Sequence, residues 1–266
     1  MRGTLRTMMV LTCLAAVLVP AAGAVAPLAH IPAVGFSHNL RFSTTSSGNW
    51  AGWAVTGAKG SVTDVKGSWT VPTVTGCSAS SHTYSSFWVG IDGYSSPSVE
   101  QTGTDSDCNG AAAQYYAWYE FYPKPSHVIT ALKISPGDVV SAEVSFAAGK
   151  FTTKISDTTT GHSFTTSASV KAQRTSAEWI AEAPSSISGI LPLADFGTVS
   201  FGLDNTGISS TDTATVSSVT SGIGNFTSAV SINMVGIHNS SLVKAATSAL
   251  STDQTSFSVT WKAAGP

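Results

Sequence analysis

Charge is what this 266-residue sequence has least of: Asp, Glu, Lys and Arg make up 11% of it, and the formal net charge is −2. That share is less than half of what soluble domains usually carry. No basic patch with interleaved aromatics occurs, so nucleic acid is excluded as a partner. A surface with few ionisable groups changes little on acidification, and Ser and Thr hydroxyls take over the solubilising role. Long apolar runs are also missing. The only sizeable one, residues 8–19, is shorter than a membrane span. It follows Arg2 and Arg6 and precedes Pro20-Ala-Ala-Gly-Ala-Val25. A basic start, a short apolar middle and a small-residue end are the pattern of a secretory signal. Residues 1–24 are therefore expected to be a signal peptide and 25–45 a short lead-in or pro-segment. Residues 46–266 are expected to form one secreted, extracellular, monomeric domain without a membrane anchor.

Cysteine is scarce too. Of three, Cys13 falls in the signal, which leaves Cys77 and Cys108. In an oxidising compartment an even pair reads as a disulfide, with two buried thiols as the other reading. A loop of about 30 residues closed in this way stabilises a fold by roughly 3.5–4 kcal/mol in the chain-entropy model. The chain has no G-x-S-x-G elbow, no H-E-x-x-H, no Walker loop and no dinucleotide fingerprint. It also lacks the Asp-Thr-Gly and Asp-Ser-Gly of paired-aspartate enzymes. The six histidines, at 30, 38, 82, 127, 162 and 238, show no ligand spacing, and the first two lie in the lead-in. No metal or cofactor is implied.

A long amphipathic helix is the last absence, and period-two alternation takes its place from about residue 48 onward. Val140, Ala142, Val144 and Phe146 alternate with polar residues. The runs 151–155 and 162–166 flank a Gly-containing loop, which predicts a hairpin. These patterns predict a single all-β, antiparallel sandwich. In Gln114-Tyr-Tyr-Ala-Trp-Tyr-Glu-Phe-Tyr122, alternation sends Gln114, Tyr116, Trp118, Glu120 and Tyr122 to one face. A carboxylate and a carboxamide among large aromatics suit a substrate cleft, although outward-facing aromatic ladders give the same pattern. In Ser176-Ala-Glu-Trp-Ile-Ala-Glu182 the same rule puts Glu178, Ile180 and Glu182 together. A carboxylate can take a proton from water, and a carboxamide can donate to an oxyanion. Glu178 and Gln101 are candidates for those two tasks.

Several segments, in order, resemble the glutamic peptidase family, the eqolisins. They are Gly48-Asn-Trp-Ala-Gly52, Gly67-Ser-Trp-Thr-Val-Pro72, Phe87-Trp-Val-Gly-Ile-Asp-Gly93, Gln101-Thr-Gly103 with Asp105, Ala117-Trp-Tyr-Glu-Phe-Tyr-Pro123, Ala177-Glu-Trp-Ile180 and Ala194-Asp-Phe-Gly197. The resemblance covers about residues 46–205. It implies a β-sandwich of two bent antiparallel sheets with a cleft on one concave face, and an endopeptidase acting on polypeptides by water attack, with Gln101 and Glu178 as the catalytic pair. By the same resemblance Trp50, Trp88, Asp92, Asp105, Trp118 and Glu120 line or support the cleft. The chain departs from the pattern in its short lead-in and its Thr- and Ser-rich second half. Two other readings of the residues stay open. One is a carbohydrate-binding, lectin-like module. The other is a retaining glycosidase using Glu120 and Glu178, which requires carboxyl groups about 5–5.5 Å apart.

Overall fold

A computed structural model describes residues 28–34, 37–39 and 44–265; the signal expected over 1–24 lies outside them. The fold is carried by strands β1 (Trp50–Thr56), β2 (Val62–Thr70), β3 (Ser86–Ile91), β4 (Val99–Asn109) and β5 (Ala112–Tyr122). The hairpin strands β6 (Val139–Ala147), β7 (Lys150–Asp157) and β8 (His162–Ala168) follow, then β9 (Ser176–Glu182). The last are β10 (Thr198–Phe201), β11 (Ala229–Val235), β12 (Val243–Thr247) and β13 (Phe257–Trp261).

These strands form two layers. One runs β5-β4-β3-β9-β1-β11, every neighbour antiparallel. The other runs β8-β7-β6-β2-β10-β13, also antiparallel. Strand β12 pairs with both β13 and β11, so the layers join at a corner as one hydrogen-bonded network. The sandwich expected from the alternation is present, with this continuity added. The strand Thr44–Ser47 pairs in parallel with β11, so the expected boundary at residue 46 cuts through a strand of the fold.

Alternation decides which side chains go where. Inward residues of both layers form one core. Phe87, Val89, Ala177 and Trp179 come from the first layer, and Val65, Trp69, Val140 and Phe151 from the second. The outer face of the first layer carries a separate buried cluster of Trp50, Trp88, Tyr116, Trp118 and Ile180. Both sequence-based face assignments hold, since Ala117 and Phe121 turn inward while Tyr116 and Trp118 turn outward. Cys77 and Cys108 are joined as a disulfide, with Cα atoms 5.2 Å apart.

Candidate active site

The outer face of the first layer places the candidate residues in rows. In register across four strands stand Glu178 (β9), Gly90 (β3), Gln101 (β4) and Glu120 (β5). Four residues further along β9, Glu182 lies opposite Ser86 of β3, which lies opposite Asp105 of β4. All six of the side chains other than glycine's in these two rows are buried.

By ladder spacing Glu178 is two strands from Gln101, about 10 Å between Cα atoms. Direction decides what each can touch. The benzo ring of Trp88 lies over Gly90, which stands between them: a Cβ there would sit 2.9 Å from Trp88 Cζ3. The neighbours of Glu178 are Ser176, the Tyr94 amide, Asp92 and Glu100. Gln101 turns the opposite way, and its Nε2 donates to Glu120 Oε2 at 2.9 Å. The pairing of Glu120 with Glu178 needed by a retaining glycosidase spans three strand spacings in one row, about 14 Å between Cα atoms.

Gln101 and Glu182 meet at a third party, the lead-in. Residues 28–34 cross this face, with one antiparallel bridge between Ala29 and Ser185. His30 is the centre of this segment: the His30 carbonyl accepts from Gln101 Nε2 at 2.6 Å, and its amide donates to Glu120 Oε2 at 3.2 Å. The imidazole stacks on Trp118 with centroids 3.6 Å apart and planes 4° from parallel. Its Nδ1 lies 3.2 Å from Ser86 Oγ and 3.7 Å from Glu182 Oε2. The lead-in histidine, which sequence reasoning left without a role, touches Ser86, Gln101, Trp118, Glu120 and Glu182. Nothing in its spacing signals this, because its partners come from β3, β4, β5 and β9.

The remaining side chains have distinct tasks. Glu182 accepts from Trp88 Nε1 at 2.9 Å and from Asn49 Nδ2 at 3.4 Å. Trp50 Nε1 donates to the Ile31 carbonyl at 3.1 Å. Asp105 lies beneath the floor, accepting from Trp118 Nε1 at 2.6 Å and Tyr116 hydroxyl at 2.8 Å, and so fixes the plane of the indole. Asp92 is a loop anchor: it accepts from the amides of Gln173, Arg174 and Thr175 and from the Thr175 hydroxyl.

Burial sets the electrostatics. It pushes Glu182 and Glu178 well above the ordinary carboxylate range, with Glu120 adding repulsion to Glu182 and Asp92 to Glu178. Glu120 is pushed up to about 8 and Asp105 to about 7, both by desolvation. Burial lowers His30 to about 3, so its ring is neutral in the closed cleft. Carboxyl groups kept from water thus surround the Gln101 carboxamide, and groups perturbed in this way are candidates for proton transfer.

Fold and face together define an all-β protein with an acid–amide cleft on the outside of one layer. The chain belongs to the peptidase A4 family, which it matches over residues 48–261. It is 34% identical over 180 residues to aspergillopepsin-2 of Aspergillus niger, covering 58% of this chain and 62% of that relative. The matched stretch thus spans less than two thirds of the relative's length. Among solved structures, scytalido-glutamic peptidase with a peptide-based transition-state analogue superposes with a TM-score of 0.64 at 25% identity, covering 81% of this chain and 98% of that one. Aspergilloglutamic peptidase from Aspergillus niger superposes with a TM-score of 0.56 at 30% identity, covering 68% of this chain and 99% of that one.

Proposed function

We propose that this chain is a secreted endopeptidase that hydrolyses polypeptides by water attack, with Gln101 as oxyanion donor and Glu182, in place of the expected Glu178, as acid–base group. The observation that carries the reading is the peptide carbonyl of His30 held 2.6 Å from Gln101 Nε2, beside Glu182. A substrate carbonyl in that position receives the amide hydrogen as its oxygen becomes negative. Glu182, once ionised, takes one proton from a water whose oxygen bonds to the carbonyl carbon. The carbon–nitrogen bond then breaks, and the proton passes from Glu182 to the leaving amine. The products are one carboxylic acid and one amine, and no covalent enzyme intermediate forms. Trp88 and Asn49 hold the Glu182 carboxylate, and Glu120 holds Gln101 with its amide nitrogen toward the cleft. Glu120 is a positioning residue.

The test is digestion of acid-denatured casein by the full chain and three variants. Gln101→Ala should lower turnover roughly 10²- to 10³-fold, the usual loss of one oxyanion donor. Glu182→Gln should lower it roughly 10²- to 10⁴-fold, the span of positioned acid–base catalysis. Glu178→Gln should retain most of the rate. A Glu178→Gln chain that is inactive and folded, beside an active Glu182→Gln chain, would return the base to Glu178. Binding of polysaccharide without proteolysis would favour the lectin-like reading.

A further inference from the structure

The segment in the cleft carries information about what the cleft selects. Each of its residues from 28 to 34 is held through the backbone. Ser126 hydroxyl donates to the Leu28 carbonyl, and Ala29 exchanges two hydrogen bonds with Ser185. His30 is bound by Gln101 and Glu120, and the Ile31 carbonyl by Asn49 and Trp50. Asn49 also donates to the Pro32 carbonyl and accepts from the Val34 amide, and the Ala33 amide donates to Gly93. Backbone contacts of this kind accept any sequence; the selective contact is the one made by a side chain.

That contact is the imidazole of His30. A flat ring is required to lie 3.6 Å above the Trp118 indole and within 4° of its plane. The indole is fixed from below by Asp105, so the platform is set before the ligand arrives. The ring nitrogen meets Ser86 Oγ at 3.2 Å, with Glu182 just beyond. A branched aliphatic side chain cannot stack, and it would leave the buried Ser86 hydroxyl without this partner.

We infer that Trp118, Ser86 and Glu182 form a subsite selective for a flat, hydrogen-bonding ring, histidine first, in the residue whose carbonyl meets Gln101, with residues 28–34 as its resident ligand. The inference deepens the peptidase reading and rests on it for the identity of the scissile bond, which is the one following the ring-bearing residue. While the segment is seated, substrate is kept out of the same frame.

The experiment uses the full chain carrying His30→Ala, which empties the subsite, and free heptapeptides of sequence Leu-Ala-X-Ile-Pro-Ala-Val with X as His, Phe, Leu or Ala. Binding is read by tryptophan fluorescence and calorimetry. The His peptide is expected to bind about tenfold or more tightly than the Leu and Ala peptides, with Phe between, since a site built around a hydrogen bond discriminates against ligands lacking it. Adding Trp118→Leu should erase the ranking. His30→Ala should also digest casein faster than the unmodified chain, while His30→Phe, which keeps a ring, should stay closer to it. Equal affinity for the His and Ala peptides overturns the subsite. No binding by folded His30→Ala means that the 28–34 backbone stays seated, and cut-site mapping then decides. If His30→Ala fails to fold, cut-site mapping on casein by the unmodified chain decides: cuts clustered after His and aromatic residues support the subsite, and cuts without preference overturn it. Selective peptide binding without proteolysis would keep the subsite and remove the peptidase reading. Proteolysis without selectivity would do the reverse.

Discussion

At the residue scale, the sequence narrows the proposed acid to one face of one strand and stops there. Glu178 and Glu182 are four residues apart on β9, and alternation gives them the same face. Choosing between them depends on Trp88, which covers Gly90 with its benzo ring and donates its Nε1–H to Glu182. A contact contributed by another strand leaves no mark in the spacing of β9. Trp88→Leu follows as a prediction: Glu182 loses a donor held at 2.9 Å. Removing a hydrogen bond to a charged group costs roughly 1.5–3 kcal/mol, so casein turnover should fall at least about tenfold while circular dichroism stays that of the parent chain. Unchanged turnover would show that the indole does not hold the working acid. Asp92 is a case where the resemblance names a residue without its task. It implies that Asp92 lines or supports the cleft, and the four hydrogen bonds of the side chain go to the 173–175 loop. His30 shows the limit most plainly, because one histidine in a lead-in of Pro, Ala and Ser has no pattern to be read from.

At the scale of elements, most of the fold was legible. Period-two patterning found β6 and the hairpin of β7 and β8, and it sorted both faces of β5 and β9 correctly. The joining of the two layers through β12 was not legible, since which strand pairs across a corner depends on loops whose composition is permissive. The site also rests on close approaches between elements that only glycine permits. Gly103 lies two residues after Gln101, and a Cβ there would stand 2.3 Å from the Phe87 carbonyl oxygen and 2.5 Å from Trp88 Cβ. Gly103→Ala must therefore push β3 from β4 or displace Trp88. Overpacking of this type costs about 1–3 kcal/mol, so the urea midpoint should fall, and activity should fall with it because Trp88 moves. The disulfide acts between elements as well, tying Cys77 in the loop after β2 to Cys108 on β4 across 31 residues. Replacing both cysteines with serine should remove about 3.5–4 kcal/mol, by loop entropy, from the unfolding free energy measured in urea.

For the whole molecule, the small number of charges and the depth at which the acidic ones lie make stability depend on pH in one main direction. Burial raises Glu100 to about 9, Glu120 to about 8 and Asp105 to about 7. In the unfolded chain the same groups titrate near 4. Between those limits the folded state binds more protons than the unfolded state, so unfolding becomes easier as pH rises. Each such group weakens the fold by about 1.4 kcal/mol per pH unit across its own window, beginning near pH 4 and ending at its folded value. Among the described residues three groups oppose the trend. Asp253, where desolvation is outweighed by hydrogen bonds from Ser251, Thr255 and Ser256 that hold the carboxyl below its usual range, weakens the fold only as pH falls below about 4. His30, lowered by burial to about 3, weakens the fold as pH drops from about 6.5. Lys244, lowered by burial to about 8, favours the fold as pH rises above that value. One histidine against several carboxyl groups leaves the balance on the acid side between pH 4 and 8. With few charges of either sign, the acidified chain also meets little self-repulsion. Thermal unfolding at fixed ionic strength should therefore show a higher midpoint at pH 4 than at pH 8, with most of the loss above pH 5. Glu100→Gln should flatten that slope, because it removes one group whose window runs from near pH 4 to about 9 and whose side chain shares no hydrogen bond with Gln101 or Glu182. An equal or higher midpoint at pH 8 would mean that these carboxyl groups are hydrated in the folded chain, and the dry cleft on which the proton-transfer chemistry depends would go with them.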